Sequence, residues 1–499
     1  MELFGNLATG FGVALSLHNL GFALVGCLIG TLIGVLPGIG PIATIAMLLP
    51  LTFHLEPVSG LIMLSGIFYG AQYGGSTAAI LVNLPGETSS VVTCIDGHQM
   101  ARQGRAGSAL AIAALASFFA GCVATGVLAA LAPPLALLGQ SFGAPEYFSL
   151  MVLGLVAAVV LAHGNVVKAI AMIVLGLLLG LIGTDGNTGA QRFTFGIPML
   201  MDGLDFAVVA IGVFGVGEIV ANLARRDNEG DAEIAKISRL WPSAEEFRLA
   251  WPAAVRGTLL GSVLGVLPGG GATLSSFAAY VVEKRVARDP SRFGKGAVEG
   301  VAGPEAANNA GAQTSFIPML TLGLPGNAVM AMMIGAMMIH GIQPGPQIMT
   351  ERPGLFWGMI ASMWIGNLML VIINLPMIGI WVQLLKVPYR FLYLAVLLFC
   401  AIGCYTVSNS TMGVLIAALF GVLGYVFIRL DCEPAPMILG FVLGPMMENE
   451  LRRAMSISAG DPMIFIERRI SLVLLIATAL LLLMLVLPAF RSTRKDAFQ

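Results

Sequence analysis

The chain has 499 residues, of which 57% are hydrophobic and only 11% are charged. An average soluble domain carries roughly 25% charged residues, so this composition indicates an integral membrane protein. A formal net charge of -1, without a long basic tract, gives no support for nucleic-acid binding.

Apolar runs recur along the chain, and the longer ones reach the roughly 20 residues that a membrane-spanning helix needs. They include residues 108–131, 150–162, 169–182, 359–385 and 470–487. The pattern predicts an all-α polytopic membrane protein with about 10–12 transmembrane or half-spanning helices. A GxxxxGK[ST] sequence is absent, so the chain shows no nucleotide-binding loop of its own.

Two distant segments repeat each other almost glycine for glycine. GTLIGVLPGIGP at residues 30–41 returns as GSVLGVLPGGGA at residues 261–272, with an offset of 268 minus 37, or 231. The later Leu-Pro-Gly at residues 84–86 returns at residues 324–326, with an offset of 325 minus 85, or 240. Offsets that grow slowly indicate a duplicated unit with small insertions.

The duplication suggests a division of the chain into four parts. A weak match between residues 176–185 and 421–431, at an offset of 431 minus 185, or 246, extends the repeat toward its end. The parts are a first transmembrane repeat at residues 1–224, a mixed-charge surface linker at 225–256, a second transmembrane repeat at 257–455, and a final transmembrane helix with a basic tail at 456–499.

Charge placement predicts that the two repeats have inverted topology. In the first repeat the loop at residues 53–57 has no Lys or Arg, whereas residues 87–107 contain Arg102 and Arg105. In the second repeat the bias is reversed, because five basic residues lie within 284–295 and only Arg352 follows the second Pro-Gly. Under the positive-inside rule, corresponding loops then lie on opposite faces of the membrane.

Four Pro-Gly segments are expected to interrupt helices inside the membrane. A broken helix presents a partial positive charge at its new N-terminus and unpaired carbonyls at its new C-terminus, which is typical of ion and substrate sites in transporters. The alternative is that each Pro-Gly only kinks or ends a helix, and that the nearby hydroxyls only cap it. The candidate hinge or ion-binding residues are Pro37, Gly38, Gly40, Thr44, Pro85, Gly86, Pro268, Gly269, Gly271, Thr273, Pro325, Gly326 and Glu305.

Polar but uncharged residues cluster beside these breaks. Hydroxyl and amide groups can replace the hydration shell of a carboxylate while helix N-termini supply further attraction, so an anionic substrate fits this chemistry. The alternative is that these side chains hydrogen-bond neighbouring helices. The candidate substrate-binding residues are Ser76, Thr77, Asn83, Ser275, Asn308, Asn309, Gln313 and Thr314.

Two acidic positions require separate interpretation. Glu305 lies between a basic loop and the second break, so it could couple to an ion or a proton, or it could be interfacial and paired with Lys295 or Arg292. Asp96 and His98 could form a catalytic pair, but their polar segment is expected to be loop-like, which favours a turn or a gating role.

Catalysis and metal binding have little support in the sequence. The six cysteines include no CxxC pair, the five histidines are scattered, and HExxH is absent. A nucleophile-base arrangement is missing as well, so neither an enzyme nor a cofactor is expected.

Several stretches resemble the large membrane subunit of the tripartite tricarboxylate transporters, the TctA type. They are GTLIGVLPGIGPIATIAMLLP at residues 30–50, YGAQYGGSTAAILVNLPGE at 69–87, CIDGHQMARQG at 94–104 and the long run at 293–346. The last run, with PEAANNAGAQTSFIPMLTLGLPGN inside it, is the most specific. The resemblance covers most of residues 20–450.

The resemblance implies a multi-pass permease of the bacterial inner membrane. Its partners would be a small membrane subunit of the TctB type and a periplasmic solute-binding protein of the TctC type. It would take up di- or tricarboxylates by alternating access, coupled to an ion gradient of Na⁺ or H⁺, with Na⁺ favoured. A stand-alone ion-coupled organic-anion transporter or channel without a binding protein remains the alternative.

Overall fold

The computed structural model describes residues 2–36, 40–161, 165–226, 237, 240–267, 271–385 and 389–486. The first half contains α1 (Glu2–Ala14), α2 (Leu17–Val35), α3 (Pro41–Thr52), α4 (Pro57–Val82), α5 (Val91–Met100), α6 (Ala106–Gln140), α7 (Ala144–Leu161), α8 (Val166–Gly180), β1 (Gly183–Thr184), β2 (Gln191–Arg192), α9 (Phe206–Ala210) and α10 (Gly217–Arg226).

The second half begins with α11 and ends with the last described helix, α23. Its helices are α11 (Ala244–Val266), α12 (Gly271–Val286), α13 (Glu299–Thr314), α14 (Phe316–Leu322), α15 (Ala328–Ile339), α16 (Ile348–Glu351), α17 (Pro353–Asn374), α18 (Ile378–Leu384), α19 (Tyr389–Ser408), α20 (Thr411–Arg429), α21 (Ala435–Ile457), α22 (Ile464–Glu467) and α23 (Arg469–Val486). Short 3-10 turns cover Thr88–Ser90, Pro198–Leu200 and Pro290–Arg292, and π-helical turns cover Ala101–Arg105 and Ile211–Val216.

The predicted fold class is confirmed, because the secondary structure of the described chain is helical apart from one hairpin whose two strands have two residues each. Six helical stretches are long and apolar enough to cross a membrane, and seven shorter apolar helices accompany them. The six are Leu17–Val35, Thr88–Gln140, Phe206–Ala224, Ala244–Val266, Pro353–Asn374 and Thr411–Arg429. The chain is therefore a multi-pass membrane protein.

The linker expected at residues 225–256 overlaps a helix. Ser243 and Glu246 form a capping box at the start of α11, in which each side chain bonds the backbone N-H of the other. This cap fixes the helix start at Ala244, so residues 244–256 belong to α11 rather than to a surface linker. The rest of the division into repeats stays a prediction.

The first repeated segment packs its helix backbone directly on a neighbouring helix. Three glycines spaced four apart on α2 face main-chain carbonyls of α4, and a side chain on any of them would overlap those carbonyls. The facing pairs are Gly26 with Met63, Gly30 with Ile67, and Gly34 with Ala71.

The second copy repeats this contact at the same offsets. Three glycines of α11 face carbonyls of α13, the pairs being Gly257 with Gly303, Gly261 with Ala307, and Gly265 with Gly311. Each α11 glycine is the α2 glycine number plus 231, and each α13 residue is the α4 residue number plus 240. The sequence repeat is thus also a repeat of helix packing.

Later in the chain, helices of each half pack against helices of the other half. Gly176 and Gly180 of α8 face the carbonyls of Met437 and Phe441 on α21. Reciprocally, Gly424 of α20 faces the carbonyl of Val213, in the π-helical turn that joins α9 to α10. Each half therefore completes its packing with a helix of the other.

Candidate functional site

Both copies of the first repeated segment separate two helices. α2 ends at Val35 and α3 begins at Pro41 with Gly40 as its N-cap, whereas α11 ends at Val266 and α12 begins at Gly271. Gly271 has φ 48°, a left-handed conformation that favours glycine, but the equivalent Gly40 has φ -79° and lies in the ordinary region. The candidate residues Pro37, Gly38, Pro268 and Gly269 lie outside the described residues.

The second pair of breaks has the same backbone conformation in both halves. The C-cap of α4 is Asn83, with φ 57°, and the C-cap of α14 is Gly323, with φ 70°. Both helices therefore end in a left-handed residue. Four residues later, Glu87 and Asn327 are both extended N-caps of the next helical segment. The interruption predicted at Pro85 and Pro325 is thus built alike in both copies.

The glycines of these two breaks have different surroundings. A side chain on Gly86 would overlap the Gly34 carbonyl of α2, whereas the nearest atom to a Cβ on Gly326 would be Pro318 Cγ at 3.9 Å. The close approach of the neighbouring backbone therefore requires glycine at position 86 but not at position 326.

The four breaks lie together in one region. Gly86 packs against Gly34, at the end of α2. Thr88, just after that break, has its Oγ1 atom 3.1 Å from Thr273 Oγ1 on the first turn of α12. Asn327 of the remaining break has its Nδ2 atom 3.4 Å from the Cβ position of Gly271. A continuous series of contacts therefore joins all four helix ends.

Carboxylate and amide groups approach these helix ends. Glu218 of α10 has its Oε1 atom 3.6 Å from the Cβ position of Gly40, beside the positive end of the α3 dipole. Asn308 of α13 is fully buried near Glu87, and neither of its side-chain atoms has a hydrogen-bond partner of standard geometry among the described residues. Gln313 Oε1 is likewise buried without a partner. Such unpaired groups are unfavourable unless a ligand or water completes them.

Glu305 is buried at the meeting point of α13 with three other helices. Its carboxylate accepts hydrogen bonds from Ser76 Oγ at 2.6 Å, from Thr93 Oγ1, and from Ser117 Oγ at 3.5 Å. The alternative pairing with Arg292 or Lys295 is wrong, because Arg292 binds Glu299 at 3.0 Å and Glu305 is completely buried. Asn309 links to the same cluster through Ser117 Oγ at 2.7 Å.

Comparison with known proteins identifies the family of this chain. The tripartite tricarboxylate transporter TctA family model matches residues 20–439, which include all four breaks and the Glu305 cluster. The chain belongs to the TctA family. This confirms the resemblance predicted from the sequence, and it places the chain in a family of transporters.

Two relatives of this TctA-family chain come from Agrobacterium vitis. One, an uncharacterized 52.8 kDa protein in the TAR-I ttuC' 3'region, is 58% identical over 500 residues, covering 100% of this chain and 99% of the relative. The other, an uncharacterized protein in the TAR-II ttuC' 3'region, is 56% identical over 238 residues, covering 48% of this chain and 98% of the relative. No solved structure gives a significant match.

Several hydroxyls that were candidates for the TctA site bond to their own helix. Each donates to the carbonyl four residues earlier, which is neither the capping of a helix N-terminus nor the bonding between helices that the alternatives expected. These bonds are Thr44 to Gly40 at 3.1 Å, Thr77 to Tyr73 at 3.4 Å, Ser275 to Gly271 at 2.7 Å and Thr314 to Ala310 at 3.0 Å. Asn83 is exposed as the left-handed cap of α4. Among the candidate substrate-binding residues, Asn308 and Gln313, both on α13, are the two whose buried side-chain atoms lack a hydrogen-bond partner in the described part of the chain.

The segment around Asp96 is a helix, so the expectation of a loop was wrong. Asp96 Oδ1 accepts backbone N-H bonds from Gly294, Gly296 and Ala297 at 2.8 to 2.9 Å, and Oδ2 accepts the Tyr280 hydroxyl at 2.9 Å. The polar residues of α5 thus serve buried contacts rather than solvent. His98 contacts the Ile80 carbonyl instead of Asp96, so the two are not a catalytic pair.

Sequence analysis missed Thr93 and Ser117, which donate to Glu305. Ser117 is one of three hydroxyl residues in the otherwise apolar α6, and this was the one available signal. Thr93 lies 212 residues from Glu305, and nothing in a single sequence indicates that their helices are neighbours.

Proposed function

We propose that this chain is the large permease subunit of a tripartite, binding-protein-dependent secondary transporter. It takes up di- or tricarboxylates, such as citrate-like anions, by alternating access across the bacterial inner membrane. Uptake is coupled to an ion gradient of Na⁺ or H⁺. Its partners are a TctB-type small membrane subunit and a TctC-type periplasmic binding protein.

The convergence of four helix breaks carries this proposal. The region contains the N-terminal ends of α3 and α12, which attract anions, together with buried amides on α13 whose bonding capacity is unfilled. A carboxylate of the substrate would accept hydrogen bonds from Asn308 and from free backbone N-H groups at the breaks. The amides contribute no fixed charge, so the anion can leave again.

Contacts between loops support inverted topology and hence alternating access. The two segments that are rich in basic residues meet, since Gln103 Nε2 donates to the Lys295 carbonyl at 2.8 Å and Arg105 Nη1 to the Gly296 carbonyl at 3.3 Å. The two loops that are poor in basic residues are also neighbours, because the helix ends beside them meet. A Cβ on Gly60 would lie 3.1 Å from Thr52 Cβ and 3.6 Å from His340 Nε2. Basic segments from both halves on one face agree with the positive-inside rule.

Reconstitution provides the test. Proteoliposomes containing this chain with its small membrane subunit would be given labelled di- and tricarboxylates, including citrate, with and without the binding protein and an imposed Na⁺ or H⁺ gradient. Accumulation should require both the binding protein and one gradient. Uptake that depends on neither would contradict the proposal and favour a stand-alone channel.

A further inference from the structure

The Glu305 cluster forms a compact, buried polar site beside Asn308 of α13. Ser76 of α4, Thr93 of α5, Ser117 of α6 and Asn309 of α13 surround the carboxylate, and none of them exposes more than 4% of its surface. The three hydroxyls donate to the carboxylate oxygens, and Asn309 Nδ2 donates to Ser117 Oγ. Four helices from both halves therefore meet at one ionisable group.

The described residues provide no positive charge for Glu305. The basic groups around α13 are paired elsewhere: Arg292 binds Glu299 at 3.0 Å, and Arg256 of α11 binds Glu283 of α12 at 2.6 Å, beside Gly303. The titratable groups that act electrostatically with Glu305 are Tyr73 of α4, Cys94 of α5 and Glu87, all neutral or acidic. An ionised carboxylate in such surroundings is strongly disfavoured unless it gains a cation or a proton.

The hydrogen bonds can satisfy both charge states of Glu305. Ser76 Oγ has two possible acceptors, Glu305 Oε2 at 2.6 Å and the Gln72 carbonyl at 3.1 Å. With Glu305 ionised, Ser76 donates to the carboxylate. With Glu305 protonated, the carboxyl group donates to Ser76, which then turns its own proton to Gln72. A hydroxyl with two acceptors thus accommodates either state without leaving a buried group unpaired.

A small cavity adjoins the same hydroxyls. Its volume of about 10 Å³, measured as space for the centre of a water-sized sphere, is at the lower limit for holding one water, and its polar lining includes Ser76, Thr77, Ser117, Tyr73 and Asn374. Ser76 and Ser117 face both the cavity and Glu305. A water in this space would bond to both hydroxyls and offer a proton to the carboxylate.

We propose that Glu305 binds one proton and releases it in each transport cycle, which makes H⁺ a coupling ion of this transporter. The step is carboxylate plus proton to carboxylic acid, with the proton drawn from water and no other bond changed. Because Asn308 and Asn309 follow Glu305 on the same helix face, substrate binding at these amides is linked to the charge of Glu305. This inference rests on the proposed transport function.

Chemical labelling tests proton binding without any substrate. Dicyclohexylcarbodiimide reacts with protonated carboxyl groups in apolar surroundings, so modification of Glu305 in the purified chain, read by peptide mass spectrometry, should rise as pH falls from 9 to 5. In Thr93→Val, which loses a donor to the carboxylate, the midpoint should move up by about one pH unit. Labelling that stays constant over this range, or that ignores Thr93→Val, would overturn the proposal.

A matched control separates Glu305 from other buried carboxyls. Glu146 is 2% exposed, but it accepts the Gly143 N-H at 2.9 Å and lies 3.9 Å from the Arg468 guanidinium. Because this carboxylate has a cationic neighbour, it should remain unlabelled over the same pH range. Glu146→Gln should leave both the labelling of Glu305 and transport unchanged.

Transport measurements separate coupling from translocation. Glu305→Gln mimics the permanently protonated state, so it should retain exchange of labelled for unlabelled carboxylate and lose at least tenfold in accumulation driven by a pH gradient. Full pH-driven accumulation in this variant would overturn the proposal. If the wild-type protein transports carboxylates but never responds to a pH gradient, proton coupling fails while the transport function stands; if it transports none, the transport function fails.

Discussion

The helix pair α2–α4 and its counterpart α11–α13 share one backbone contact but present different chemistry. In both pairs glycines four residues apart press against carbonyls of the neighbouring helix. At corresponding positions, however, α4 has Ser65, Phe68, Tyr69 and Tyr73 where α13 has Glu305, Asn308, Asn309 and Gln313, each at an offset of 240. The helix packing was therefore duplicated, whereas the carboxylate and amide side chains at these positions are present in the second half alone.

The geometry of a helix explains how both features coexist. On α13 the carbonyls of Gly303, Ala307 and Gly311 meet α11, whereas Glu305, Asn308 and Asn309 are spaced three and four apart on another face. Contact through backbone atoms leaves the side chains of the other face free to change. The polar residues could therefore accumulate in one half without disturbing the shared contact.

The largest expected effect comes from removing the shared contact. Gly30→Val and Gly261→Val should each destabilise the fold by about 3 kcal/mol or more, because the new side chain meets a backbone carbonyl that cannot move aside. Both variants should be lost from the monodisperse peak in detergent gel filtration. Gly21→Val on α2 is the control, since no atom lies within 4 Å of its Cβ position. Normal folding of either buried variant would mean that the two contacts are not equivalent.

A second prediction concerns the chemistry that only the second half has. Asn308→Ala should lower carboxylate uptake at least tenfold, about 1.4 kcal/mol, yet leave the melting temperature nearly unchanged, because its amide makes no hydrogen bond of standard geometry with the described residues. Asn19→Ala is the matched control. Asn19 donates to the Val13 carbonyl at 2.9 Å and accepts from Ser59 at 2.6 Å, so its loss should cost about 1–2 kcal/mol of stability and spare uptake per folded molecule. Normal uptake by Asn308→Ala would remove it from the site.

A third prediction concerns Asp96, whose counterpart at offset 240 is Ala336. Asp96→Asn should destabilise the protein by about 1–2 kcal/mol, because three backbone N-H groups lose a charged acceptor. Tyr280→Phe removes a single bond to the same carboxylate and should cost about 1 kcal/mol. Thermal unfolding in detergent measures both. Equal melting temperatures for the wild type and Asp96→Asn would show that the contact does not stabilise the fold.

The smallest effect is expected in the loop after α8. The backbone N-H of Asn187, with Arg192 and Arg452 nearby, holds the pKa of Asp185 well below its usual range. A depressed carboxyl pKa stabilises the folded state above the unfolded value of about 3.9 and loses that contribution as pH falls further. The melting temperature should therefore decline below about pH 4, and less steeply in Asp185→Asn. A decline of equal steepness in Asp185→Asn would contradict this assignment.

Sequence patterns predicted the fold class and the helix ends, because glycine and proline act locally. The sequence offsets of 231 and 240 are also the offsets between the glycine-to-carbonyl contacts of the two halves, because each glycine packs at a fixed position along the neighbouring helix. Partners across helices were less accessible. Arg292 is near Glu305 in sequence yet binds Glu299, and the polar segment at Asp96 proved to be a buried helix. A polar segment usually indicates exposure to solvent, but the polar residues of this helix are buried. Their burial depends on neighbouring helices, which a single sequence does not reveal.

The packing of α8 and α20 against helices of the other half has a consequence for synthesis. Gly180 of α8 packs against Phe441, which is 441 minus 180, or 261, residues later. At roughly 5–20 residues per second, translation needs roughly 13–52 s to produce that partner. During this interval lipid must cover the glycine face of α8. The first half is therefore inserted well before it can finish folding, and a ribosome that stops early leaves it incomplete.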